Sequence, residues 1–259
     1  MRVLHLSEGR HCAIAVSSLI VTVLVSGCAT APAHTTSRIH ATTPARIGEI
    51  TVTATLPADI TLNSLGAGGV AERRDDWTEM ARAHARNTLK SIRPGRIVYA
   101  GDLETREELA DEIAEVEALF QLIDLNLLLT YSPLQMVPPT AITRFDYSVG
   151  SIDRILDTAG ADALLIVRGV DDIFAADRKA LAVAAFILSA AAGAGYNMSS
   201  GEAHLSAALI GRDGTLLWYD WLGEGAIGDM RKPESVQATL TRLLRSMPGP
   251  TGKTGKGSG

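Results

Sequence analysis

Cysteine is nearly absent from this chain: among 259 residues only Cys12 and Cys28 carry a thiol. Two cysteines cannot build a Cys-rich zinc site. If the segment before Cys28 is removed, no internal disulfide is left either. Basic clusters are missing as well. The 24 Lys and Arg against 29 Asp and Glu give a net charge of −5, with no stripe of the kind that grips phosphates, so a nucleic-acid partner is excluded. Of six histidines, His34, His40, His84 and His204 follow Cys28, and none has a partner four residues on with a supporting Glu. No metal and no cofactor are therefore expected. Catalytic motifs also fail on their spacing. Gly252-Lys253-Thr254 ends like a phosphate loop, but Met247 stands where its first glycine is needed. Asp146-Tyr147-Ser148-Val149-Gly150 lacks the first glycine of a nucleophile elbow, and Ser148 reads better as a helix N-cap. Gly66, Gly68 and Gly69 lack dinucleotide-loop spacing and read as a flexible loop. The expectation is a protein that is not an enzyme.

The amino terminus is where the sequence is most explicit. A short polar start with Arg2 and Arg10 precedes an apolar run over residues 12–25, and Val25-Ser26-Gly27 leads directly to Cys28. The run is shorter than the roughly 20 residues of a membrane-spanning helix. Basic start, short apolar run and small residues are the order of a secretory signal peptide. With cysteine next, the segment resembles the lipobox of bacterial lipoproteins. That resemblance implies cleavage between Gly27 and Cys28, a diacylglycerol on the Cys28 thiol, and acylation (as by palmitate) of the new amino terminus. Ala29 stands where an Asp would retain such a lipoprotein at the inner membrane. The implied address is thus the periplasmic face of the outer membrane, held through the lipid on Cys28. The mature 232 residues suffice for one domain with a sizeable core.

Four regions follow: signal peptide 1–27, lipidated Cys28 with an Ala/Thr/Pro/Ser-rich disordered tether over 28–45, a folded domain over 46–248, and a disordered Gly/Lys tail over 249–259. Within the domain, alternation over 47–56 predicts a strand. An Asp76-x-x-Glu79 capping box opens a helix over 76–92 that presents Trp77, Ala81, Ala85 and Leu89. Residues 97–100 are a short strand. A longer helix over 107–130 carries Leu109, Ile113, Val116, Phe120, Ile123 and Leu127 at alternating spacings of four and three, and its second half is apolar nearly all round. It either packs along the sheet or protrudes and dimerises. A short helix ending at Gly160, a buried strand over 163–170, a hairpin about Arg212-Asp213-Gly214 and a helix from Pro233 complete the pattern. The fold class is α+β: a mixed sheet of about five strands with helices packed on it, in the order β-α-β-α-α-β-β-β-α.

Gly160-Ala161-Asp162, the apolar strand after it, and the pair reading Ala207-Ala208-Leu209-Ile210 and Asp213-Gly214-Thr215-Leu216-Leu217-Trp218, closed by a helix to Pro248, resemble a small periplasmic module. That module is shared by the TolB amino-terminal domain, the curli secretion lipoprotein and related bacterial lipoproteins. The resemblance covers about residues 148–248, and more loosely 47–100, and implies an envelope protein that works by assembly or partner binding. The expected role is a lipid-anchored scaffold or accessory subunit that binds other envelope proteins. The alternatives are an oligomeric pore or secretion subunit, and an envelope enzyme or small-ligand binder. Three features remain for a site. Trp218, Tyr219 and Trp221 are the densest aromatic cluster, from which an exposed member would contact a partner. Asp171 and Asp172, just past the buried strand, are where a ligand pocket would form. The uncharged, Ala-rich residues 180–195 form a buried helix, a self-association face or a membrane contact.

Overall fold

The computed structural model describes residues 37–92, 97–99, 107–131, 145–193 and 201–248. Cys28, the cleavage site and the 249–259 tail lie outside them. Eight strands form one mixed sheet: β1 (Arg38–Ile39), β2 (Thr53–Thr55), β3 (Asp59–Leu65), β4 (Ala71–Arg73), β5 (Ile97–Tyr99), β6 (Ala163–Phe174), β7 (Ala203–Gly211) and β8 (Leu216–Gly223). The helices are α1 (Thr43–Arg46), α2 (Asp75–Ser91), α3 (Glu107–Tyr131), α4 (Asp153–Ala159), α5 (Ala176–Ala191) and α6 (Pro233–Leu243). The sheet order is β1-β8-β7-β6-β2-β5, with β3 on the second half of β6 and β4 on β3.

The long strand β6 organises the domain. Its residues Ala163–Leu165 pair in parallel with β2 and Arg168–Phe174 in parallel with β3, while its other edge pairs antiparallel with β7. Pro57 stands between β2 and β3 and has no N–H to donate to a ladder. One line of chain is thereby broken into two strands that follow one another along β6. Side chains on β6 alternate. Leu165 and Val167 join Ile60, Leu62, Leu209 and Trp218 under α2 and α6, and Leu164 and Ile166 join Ala208, Ile210 and Tyr219 under α3 and α4. Helices cover both faces, and the core has two layers with the sheet between them.

The α+β class and the mixed sheet agree with the sequence pattern, and several local expectations do not. The sheet has three more strands than expected: β1, β3 and β4. The segment read as tether to residue 45 already belongs to the fold from Ser37. Its two-residue strand β1 pairs with β8, Thr43 Oγ1 donates to the Leu217 carbonyl at 2.6 Å, and Trp218 Nε1 donates to Ser37 Oγ at 2.9 Å. A strand of two residues has no period to read. The Asp76-x-x-Glu79 box does not cap α2: the N-cap is Arg74, and Asp76 instead receives that guanidinium at 2.8 and 3.0 Å. Ser148 lies ahead of α4, where its Oγ accepts the Gly150 N–H at 3.2 Å and its backbone bridges to Thr215. Gly160 does close α4, with φ +64°. Gly214 turns the hairpin at φ +77°, and a Cβ there would stand 1.7 Å from the Gly150 carbonyl oxygen.

Candidate functional site

β6 runs four residues past the expected strand end, so Asp171 and Asp172 sit inside a strand rather than in a loop. Their side chains therefore point to opposite faces. Both border a cavity of about 350 Å³ at this end of the sheet, together with Lys179, Glu224, Asp229 and Arg231. Asp172 is held by three hydrogen bonds to two neighbours: Asn63 Nδ2 donates to Oδ1 at 2.8 Å, the Glu202 N–H donates to Oδ2 at 2.9 Å, and its own N–H donates to the Glu202 carbonyl. Asp229 is matched by Arg231, whose Nε and Nη2 reach its two oxygens at 2.8 Å. Burial pushes the Asp171 carboxyl up to about 6, against the hydrogen bond from the Met230 N–H, with the Asp229 and Asp172 charges adding to the rise.

That shift predicts a pH dependence. Between about pH 4 and 6 the unfolded chain has released the Asp171 proton and the folded chain has not, so this group's contribution to stability falls as pH rises through 6 and is level above. Asp171→Asn should gain on the parent at pH 8 relative to pH 4, by at most about 3 kcal/mol at 1.36 kcal/mol per unit. Urea unfolding at the two pH values measures it, and an equal difference at both would contradict the buried-carboxyl account.

The aromatic cluster is not a contact surface. Trp218, Tyr219 and Trp221 are all buried, Trp218 in the layer under α2 and α6 and the other two in the layer under α3. The strand β8 is covered on both faces, so neither side of its alternation reaches solvent. The partner-contact expectation for these three residues is overturned by that burial.

Instead, Tyr219 belongs to a polar group the sequence did not reveal. Asp124 on α3 is fully buried and accepts from Tyr219 Oη at 2.8 Å and from Arg168 Nη1 at 3.4 Å. Arg168 also approaches Asp59 at 3.4 Å. Burial first, then the Asp124 charge, holds the Tyr219 hydroxyl well above its usual range. His204 borders the same layer, with Nδ1 3.2 Å from Glu202, and its burial lowers its pKa.

Two helix surfaces are apolar and exposed. The expected stripe of α3 faces the sheet, with Leu109, Ile113, Val116, Phe120 and Leu127 buried and Ile123 half-buried. Diametrically opposite, Ala118, Leu122, Leu125 and Leu129 form a second line at spacings 4-3-4, with the leucines 65, 53 and 45% exposed. The other surface is α5. Only Arg178 is buried in it, while Leu181, Val183, Phe186, Ile187 and Leu188 are 49–71% exposed. A buried helix over 180–195 is thus ruled out for its described part. Among the described residues no helix is long and apolar enough to cross a membrane, and no group of three or more His, Cys, Asp or Glu side chains could hold a metal ion.

Fold and surface together define an α+β domain with helices on both faces of a mixed sheet, an acidic cavity at one sheet end, and two helices with apolar faces exposed among the described residues. No family model matches the chain, and no curated protein matches it. Among solved structures it is similar to the PelC dodecamer from Paraburkholderia phytofirmans, at a TM-score of 0.31 and 10% identity, over 81% of this chain and 96% of that one. A single-substitution variant of the same dodecamer gives 0.31 and 9%, over 81% and 98%. At these values the likeness assigns neither family nor function.

Proposed function

We propose that this chain is a lipid-anchored envelope protein, held at the periplasmic face of the outer membrane through Cys28, that works by binding another envelope protein rather than by catalysis. The anchor rests on the lipobox-like Val25-Ser26-Gly27-Cys28. The binding role rests on one observation, the outward line Ala118, Leu122, Leu125 and Leu129 on α3. Spacings of four and three on one narrow face are what a partner helix needs to seat side chains between side chains. The line opposite it already fixes α3 to the sheet, so the outer leucines serve no packing among the described residues.

The charge on α3 says what kind of partner fits. The helix carries seven acids and no base, and the outward line continues toward the amino end through Asp111 and Glu115. Parallel pairing with a second copy would set acid against acid. An apolar helix with Lys or Arg beyond its seam is complementary. Leu122→Glu combined with Leu125→Glu changes only exposed positions. It should leave the unfolding midpoint in place and lower recovery of the co-purifying partner at least tenfold. Unchanged recovery with the double variant would remove the α3 seam as the binding surface.

A further inference from the structure

We infer that α5 is a lipid-docking helix that enters the same bilayer as the anchor on Cys28; this rests on the lipoprotein reading above. The helix is built in two parts. Its first turn carries Asp177, Arg178 and Lys179 and is pinned to the domain. Arg178 donates to the Gly66 carbonyl at 3.3 Å and lies 4.8 Å from the Phe174 ring, and Asp177 accepts the Ala67 N–H at 3.1 Å. The Gly66–Gly69 loop is therefore the seat of this helix. Beyond Lys179 the chain has no charged side chain until Glu202.

The distribution of the exposed side chains selects the occupant. At 100° per residue, Leu181 and Leu188 fall on one side of α5, Val183 and Ile187 on another, and Phe186 on a third. A second copy or a partner helix would cover one side and leave the rest in water, as a one-sided seam like that on α3 permits. A helix apolar all round is satisfied by surrounding hydrocarbon. Its 16 residues extend about 24 Å, short of a core roughly 30 Å thick, so α5 enters the bilayer without crossing it.

The strand register and the length of chain before β1 bring the anchor within reach of it. β1 is antiparallel to β8, β8 to β7, and β7 to β6, so β1 runs opposite to β6, and the register sets Arg38 level with Tyr219, Ala208 and Ile166, eight residues short of Phe174. α5 follows the finish of β6. Ser37 is nine positions beyond Cys28, a reach of at most about 32 Å. An acyl group on Cys28 can therefore reach the end of the sheet from which α5 projects, about 26 Å further along the strand direction at 3.3 Å per residue.

Photocrosslinking of the full chain in its own membranes tests this. Ile187 is replaced by the photoreactive residue benzoylphenylalanine, and Asp213, in the turn at the other end of the sheet, is replaced in a parallel control. Adducts with phospholipid acyl chains at 187, at least tenfold above those at 213, are the expected result. An adduct with a second copy or another protein instead, or none, overturns the inference. The mass of the amino-terminal peptide is read in the same sample. An acylated Cys28 without a phospholipid adduct at 187 overturns lipid docking and leaves the anchor standing. A phospholipid adduct with an unmodified amino terminus keeps lipid docking and removes the anchor.

Discussion

Asp124→Ala should destabilise the folded domain by about 3–5 kcal/mol, the loss typical of removing one partner from a buried ion pair. The carboxylate has no exposure to solvent and takes hydrogen bonds from Tyr219 Oη and Arg168 Nη1. Its removal leaves two donors in a layer otherwise filled by Phe120, Leu127, Ile166 and Ala208. The size of the effect comes from the groups left behind rather than from the attraction lost. Asp124→Asn keeps an acceptor for the tyrosine and should lose roughly 1–3 kcal/mol. Combining Asp124→Leu with Arg168→Met removes both charges and should recover much of the loss. Denaturant unfolding of the three variants decides it. A loss below about 1 kcal/mol in Asp124→Ala would mean that Asp59 suffices as the partner of Arg168 and that the Asp124 pair does not fasten α3 to the sheet.

Cys28→Ala has the other large expected effect, and it is all or none. With alanine at this position no thiol is present to receive diacylglycerol, and the lipobox-like segment loses the residue before which the proposed cleavage falls. The precursor should persist at 259 residues instead of shortening to 232, and incorporation of labelled palmitate should fall to background. Multiple acyl chains give stable attachment at about 0.8 kcal/mol for each buried methylene, and the acidic surface adds no pull toward anionic lipid. Normal shortening of the Cys28→Ala chain would remove the anchor reading.

The sequence made the main layers legible because they rest on long periodic segments. The helices over 76–92 and 107–130 and the hairpin about Arg212-Asp213-Gly214 stand within a residue or two of their expected places. What escaped were elements fixed by pairing alone. β1 has two residues and β4 three, too few for any pattern. β3 follows Pro57 closely and was hidden behind it, although Ile60 and Leu62 alternate with polar neighbours.

The site was less legible, and for a different reason. Alternation along β8 assigned Trp218 and Tyr219 to opposite faces correctly, but it could not show that helices cover both. Asp124 lay in a helix segment whose apolar character drew attention away from its one carboxylate. Its partners, Arg168 and Tyr219, lie 44 and 95 residues further along the chain. The outer leucines of α3 were visible as an apolar surplus, and only the sheet could say which of the two lines faces outward.

The central claim is a binding role at the envelope, and the native mass of the full-length protein extracted in mild detergent tests it most directly. The account predicts a defined complex with a second protein bearing an apolar, basic-flanked helix, lost when Leu122 and Leu125 are both replaced by Glu. A lone monomer from the same membranes would contradict it.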